Sequence, residues 1–153
     1  MNGNLMTADD WKDTWHPNFS IHENWGNPLK VVKELVMRLQ TMRSMCAEPV
    51  ILHTVYATGG HLANSQHYKG RAADLHIAHL PLSIQFYYAI RAGFRGIGVY
   101  PYWNNPGLHC DVRVLKDGYP VAMWYRDADG KYHTIDEHIY IEIMRGKYDK
   151  ETK

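Results

Sequence analysis

The chain has 153 residues, enough for one domain with a single sizeable core. Apolar residues make up 45% and charged residues 22%, and the formal net charge is +1, which gives no electrostatic reason to expect nucleic acid or an anionic membrane surface as a partner. No stretch reaches the roughly 18 apolar residues of a membrane span, and the opening MNGNLMTADDWKD lacks both the basic start and the apolar stretch of a secretory signal. A monomer made in the cytoplasm, without membrane insertion, is therefore expected.

The first 27 residues read as an irregular or partly helical extension, anchored by Trp11, Trp15, Phe19 and Trp25. The core is expected over residues 28–134. Asn27-Pro28 reads as a helix start, with Asn as cap and Pro at the first helical position. Val32, Leu35, Val36, Leu39 and Met42 then recur at helical spacing, and Glu48-Pro49 ends the run. A β-rich run covers Val50 to Tyr56, a loop holds Gly59 and Gly60, and a short strand is expected from Ala73 to Ile77. Leu82 to Ala92 reads as a helix between Pro81 and a Gly93 stop. Strands follow at Gly98–Tyr100, Leu108–Leu115 and Val121–Arg126, and Asp129-Gly130 reads as the turn of a hairpin into Tyr132 and His133. Ile135 to Met144 fits either helix or strand. The C-terminal extension, residues 135–153, ends in Arg145, Lys147, Lys150 and Lys153, a solvated basic tail. No repeat or low-complexity tract interrupts this order, which indicates one α+β domain with a small antiparallel sheet and helices on one side.

Cys46 and Cys110 form no CxxC and read as small buried apolar residues rather than a disulfide. Ten His residues are a hint of metal or acid–base chemistry, and the five Trp and eleven Tyr suit either core packing or an open groove for a polar ligand. The informative stretch is Ser65-Gln66-His67-Tyr68-Lys69-Gly70-Arg71-Ala72-Ala73-Asp74. A catalytic zinc needs three protein ligands and one open position. His67 and Asp74 can supply a nitrogen and an oxygen if a turn at Gly70 folds the chain back into a strand, with small Ala72 and Ala73 letting that strand sit close behind the metal. A third donor is available in Leu108-His109-Cys110-Asp111-Val112-Arg113. Strand alternation there puts His109, Asp111 and Arg113 on one face and Leu108, Cys110 and Val112 on the core side.

The pattern SxHxxGxAxD followed by HxDxR resembles the zinc D-alanyl-D-alanine carboxypeptidase family. That family includes vancomycin-resistance dipeptidases and phage L-alanyl-D-glutamate endolysins, and shares its fold with the hedgehog signalling domain. Gly96-Ile97-Gly98-Val99-Tyr100-Pro101, the HxDxR segment and Trp124 resemble a branch with GxGxYP, HxDxR and a following Trp. The likeness runs from about Phe19 to Tyr125. It implies one Zn2+ per chain held by His67, Asp74 and His109, and a metallopeptidase acting on peptidoglycan peptides. A phage-encoded lysis or virion protein, released to the cell wall or carried in the particle, fits that substrate.

Asp111 is expected either as general base or as the acceptor that orients a ligand histidine. Ser65 and Arg113 are candidate substrate contacts, and Tyr100 and Trp124, with Tyr102 and Trp103, candidate groove walls. His76 shares a strand face with Asp74, so a supporting role is open to it, whereas His61 reads as a loop residue. Two departures from the family pattern bear on the identity of the base and on substrate contact, although the HxDxR branch commonly lacks the acid too. Pro106 stands three positions before His109, where many members keep an acid, and Thr54-Val55-Tyr56-Ala57 replaces a loop that often carries an arginine. A zinc-stabilised module without catalysis is therefore the alternative.

Overall fold

A computed structural model describes residues 4–150 of the chain. Lys153, the end of the basic tail, and Met1 to Gly3 lie outside the described residues. Among the described residues, three α-helices and six strands follow one another: α1 (Lys33–Cys46), β1 (Val50–Thr54), β2 (Ala72–Ile77), α2 (Leu82–Arg91), β3 (Gly96–Tyr100), β4 (Gly107–Asp111), β5 (Ala122–Arg126), β6 (Tyr132–Thr134) and α3 (Glu137–Met144). The strands form one sheet in the order β1-β2-β4-β3-β5-β6.

The sheet is mixed, which corrects the expectation of an antiparallel one. β3 and β5 run parallel, and every other pair is antiparallel. The cause is a skip in the connectivity. After the β3–β4 hairpin the chain does not turn back beside β4. It crosses through residues 112–121 to the far side of β3, so β5 runs opposite to β4 and therefore along β3. That crossing also ends β4 at Asp111, short of the expected Leu115.

One face of the sheet is apolar. Leu52, Ala73, Leu75, Ile77, Ile97, Val99, Leu108 and Cys110 are buried there in one cluster with Leu35, Val36, Leu39 and Met42 of α1 and Leu82, Phe86 and Ala89 of α2. α2 lies on β3 and β4, with α1 and α3 on either side of it. Each fully buried side chain of this size contributes roughly 1.5–3 kcal/mol, so the stripe legible in α1 and the alternation in the strands close the same core from two sides. Trp11, Phe19 and Trp25 join that core, but Trp15 is 37% exposed and stays outside it, edge-on to the His16 ring. The next residue takes the inward position instead. His16 is buried with its ring nitrogens 2.9 and 2.8 Å from the carbonyl oxygens of Phe19 and Asp10.

The start of α1 differs from expectation in a way that matters for the site. Asn27 does cap a turn, accepting from the Leu29 amide, but only a single 3-10 turn follows at Pro28–Lys30. Val31 and Val32 are extended, because their backbone is used elsewhere. The Val31 carbonyl accepts from Met6 (2.8 Å) and the Val32 amide donates to Gly70 (3.0 Å). The helix resumes at Lys33 and stops at Ala47 in the left-handed region (φ 57°), just before Pro49.

Two polar ties fix the remaining pieces. Arg95 donates to both oxygens of Glu34 on α1 (2.5 and 3.0 Å) and to the carbonyls of Arg113 (2.6 Å) and Val112 (2.8 Å), holding the exit of β4 against α1. The Asp149 carboxylate accepts from the Ser83 amide and hydroxyl (2.8 and 2.6 Å), capping the first turn of α2. The ambiguous segment after Ile135 is helix α3, capped by Asp136, whose side chain accepts from Ile139. The expected Asp129-Gly130 turn joins β5 to β6, with Gly130 at φ +81°. Among the described residues, no helix is long and apolar enough to cross a membrane.

Candidate metal centre

The open face of the sheet holds the chemistry, and strand register places it. Asp74 pairs with Thr54 on β1 and His109 on β4, His109 with Gly98 on β3, and Gly98 with Trp124 on β5. These residues form one row across five strands. The next row along sets Ala72, Asp111, Gly96 and Ala122 side by side. The two glycines of the GxGxYP segment leave gaps that their neighbours fill. A Cβ at Gly96 would lie 2.3 Å from an Asp111 carboxylate oxygen, and one at Gly98 would lie 2.5 Å from the Trp124 indole nitrogen.

His67 reaches the row from outside the sheet, on a 3-10 turn at Gln66–Lys69. Ser65 caps that turn by accepting from the His67 amide (3.2 Å). Gly70 closes it at φ +66°, a conformation that costs a residue with a Cβ, and here a Cβ would also sit 1.8 Å from the Lys30 carbonyl oxygen. The extended Val31–Val32 segment thus packs directly behind the turn that carries His67. The reversal at Gly70 and the buried Ala72 and Ala73 behave as the sequence pattern suggests.

The three candidate ligands meet. Asp74 Oδ1 lies 3.3 Å from His67 Nε2 and 3.1 Å from His109 Nδ1, and a ligand atom from each of the three lies within 4.8 Å of the others. The two Asp74–histidine separations are close to the roughly 3.3 Å that divides donor atoms bonded at about 2.0–2.1 Å and a tetrahedral angle. The opposite ring nitrogens fix which atoms face inward. His67 Nδ1 donates to the Val55 carbonyl (2.7 Å) and His109 Nε2 to Asp111 Oδ2 (2.8 Å), leaving Nε2 of His67 and Nδ1 of His109 as donors for an ion. The His67–Asp74–His109 group can hold a metal ion.

Burial pushes the Asp74 carboxyl upward, but the His109 and His67 imidazoles beside it outweigh that and hold the group ionised. Asp111 follows the same balance, its burial overcome by Arg113 and His109. Burial opposes charge on His109, and the carboxylates of Asp111 and Asp74 reverse that effect and raise its pKa. One residue away, burial pushes the Cys110 thiol well up, so it stays protonated on the core side of β4.

Asp111 is fully buried, and each of its oxygens is engaged. Oδ1 accepts from the Arg113 amide (3.1 Å) and Nε (2.9 Å), and Oδ2 accepts from Arg113 Nη2 (2.7 Å) and His109. That is the position of an orienting acceptor. Arg113 in turn lies 5.1 Å above the Trp124 ring, and Trp124 lies 5.2 Å from the His109 ring and donates to the Tyr100 hydroxyl (3.2 Å). Of the four candidate substrate contacts, Tyr100 and Trp124 stand on the open face beside the ligands. Ser65 Oγ accepts from the His67 amide, and Arg113 Nε and Nη2 donate to Asp111.

Two histidine contacts escape the sequence reading. His61 stacks on His67 with centroids 4.3 Å apart, its backbone held by the Tyr68 hydroxyl, which accepts from the His61 amide and donates to its carbonyl. Burial and then the nearby His67 lower its pKa. His76 pairs with His53 through ring nitrogens 2.6 Å apart, and burial and His53 lower its pKa. Alternation along β1 would have put His53 on the open face, but a loop residue such as His61 carries no periodic signal. A cavity of about 270 Å³ opens beside the ligands, lined by His53, Thr54, Asp74, Trp103, Asn104 and Asn105. Gln85, itself buried, donates to the carbonyls of Leu80 and Pro106, residues that line a separate cavity. No protein-family model and no curated protein matches this chain.

Proposed function

We propose that this chain is a zinc metallopeptidase that hydrolyses peptide bonds in peptidoglycan stem peptides or cross-links, on a hedgehog-like peptidase fold. One observation carries the reading. Two imidazoles, each aimed by a hydrogen bond through its other nitrogen, converge to within 4.8 Å on a carboxylate that lines an open cavity. Catalytic zinc sites have this complement, three protein donors with a position left open. The resemblance of SxHxxGxAxD, GxGxYP and HxDxR to the D-alanyl-D-alanine peptidases supports the substrate class, and with it a phage lysis or virion role.

His67, Asp74 and His109 would hold the zinc, which when bound would supply Lewis-acid chemistry for the attack of water on the scissile carbonyl. Asp111 holds the His109 ring in place and is closed to solvent. His61, stacked on His67, is an ionisable side chain beside the ligands that would take the proton released in the attack. Burial raises the Tyr100 phenol, so it keeps its proton. Because Trp124 donates to the Tyr100 oxygen, the phenolic O–H is free to donate to the carbonyl oxygen as charge develops there.

A second reading, a zinc-stabilised binding or virion module without catalysis, draws on Pro106 standing where an acid would be expected and on the enclosure of Asp111. Metal analysis of the pure protein, alongside muropeptide digestion by wild type and His67→Ala, separates the two. The peptidase reading expects about one zinc per chain and released fragments for wild type, with both lost in His67→Ala. Zinc bound without any fragment released from sacculi would favour the second reading.

A further inference from the structure

Beyond the metal-side cavity, and separated from it by the Trp103 side chain that lines both, lies a second cavity of about 290 Å³. Tyr100, Tyr102 and Trp103 wall one side, and Arg126 with the Asp127–Gly130 turn walls the other. Tyr100 and Trp103 stack with centroids 4.1 Å apart and planes 15° off parallel, and Tyr132 meets Tyr100 edge-on at 6.3 Å. Tyr102, 53% exposed, and Arg126 complete the rim. Arg126 Nε donates to the Gly130 carbonyl (3.3 Å), and among the described residues its terminal nitrogens have no hydrogen-bond acceptor. Asp127 accepts from the amides of Asp129 and Lys131 and from His133, which fixes the β5–β6 turn beneath.

We propose that this cavity is a saccharide subsite that takes a pyranose ring. A sugar presents a flat C–H face of positive edge character and a rim of hydroxyls. The first suits the negative face of an aromatic ring, and the second suits phenol, indole and guanidinium donors. A volume near 290 Å³ lies at the small end of ligand pockets, the size for one ring rather than an extended chain. A peptide fits less well, because side chains and a closed turn wall the cavity, and strand addition needs free main-chain partners. Resting on the peptidase reading, the inference specifies its substrate. The stem peptide is still attached to glycan, with the sugar beyond Trp103 and the peptide across His67, Asp74 and His109.

The test begins with binding of chitotetraose, a sugar oligomer carrying no stem peptide, to the full chain by titration calorimetry. Wild type is expected to bind saturably, with Trp103→Ala and Tyr102→Ala weaker by at least about ten-fold and Trp15→Ala, at an exposed tryptophan elsewhere, unchanged. Tyr102 is exposed enough that its variant keeps the test valid if Trp103→Ala fails to fold. No saturable binding by wild type, or equal affinity in wild type and Tyr102→Ala, overturns the proposal. A second arm compares kcat/KM on a glycan-linked muropeptide with that on the same peptide freed of sugar. The expected result is a loss of about ten-fold or more in Tyr102→Ala on the glycan-linked substrate alone. Equal losses on both would make peptide the occupant and overturn it. Chitotetraose binding without cleavage of either substrate would sink the peptidase reading and leave the subsite standing.

Discussion

His67 and His109 approach the same Asp74 oxygen from unlike supports. His67 rides on a one-turn helix in a connecting segment, and its ring is aimed by a main-chain carbonyl, that of Val55. His109 stands on an interior strand, and its ring is aimed by the buried side chain of Asp111, which Arg113 holds in turn. A main-chain acceptor cannot be deleted by substitution, so the His67 side is vulnerable only through the geometry of its turn. The His109 side is geometrically rigid and chemically exposed, because one substitution removes its support. Mutations on the two sides should therefore fail in different ways.

The largest effect is expected at Asp111→Ala, which strips the support from His109 and leaves the Arg113 guanidinium without its partner. Metal affinity should fall about 10–100-fold, and unfolding in urea should show a loss of roughly 3 kcal/mol. Zinc affinity equal to wild type by chelator competition would mean that His109 needs no orienting acceptor. Gly70→Ala attacks the other side through backbone. With φ at +66° and the Lys30 carbonyl in the way, it should cost about 1–3 kcal/mol and reduce zinc affinity as the His67 turn shifts. If stability drops while zinc affinity holds, the turn and the ligand are less coupled than their contacts suggest.

Ser65→Ala loses a single cap on the same turn, and a loss near 0.5 kcal/mol in a thermal melt is expected, with zinc affinity changed by no more than roughly two-fold. The smallest effect tests the outermost support of the His109 side. The Arg95 guanidinium holds the Glu34 carboxyl below its usual value of 4.5. A depressed folded-state pKa stabilises fully above the unfolded value and loses that contribution as pH falls through the folded one. Glu34→Gln should therefore be less stable than wild type at neutral pH, and the gap should close below about pH 4. A gap that stays constant on acidification would remove the ion pair as its cause.

The same contrast explains what could be read from the sequence. Strands and helices were legible where burial has a period, as in Leu35, Val36, Leu39 and Met42 or in Leu108 and Cys110. The convergence of His67, Asp74 and His109 was expected from the family resemblance, and the turn at Gly70 with small Ala72 and Ala73 has a local reason for its spacing. The parallel pairing of β5 with β3 was not, since residues 112–121 contain nothing that distinguishes a skip from a hairpin. The extended Val31–Val32 was hidden because its backbone partners, Met6 and Gly70, lie far away in the chain. Asp111 was recognisable as one of two things, and only the guanidinium closing around it separates them. His61 gave no signal at all, because a ring stacked from a loop depends wholly on where the loop lands.

Gly96 and Gly98 give β3 an unusual part in this arrangement. The strand passes under the centre without offering a side chain from either position, and the Asp111 carboxylate and the Trp124 indole occupy the vacated volume from the adjoining strands. β3 acts as a bare floor on which its neighbours' furniture stands. Anyone wishing to retune this centre has to work from β4 and β5, because even a methyl group added to the floor would evict what rests there.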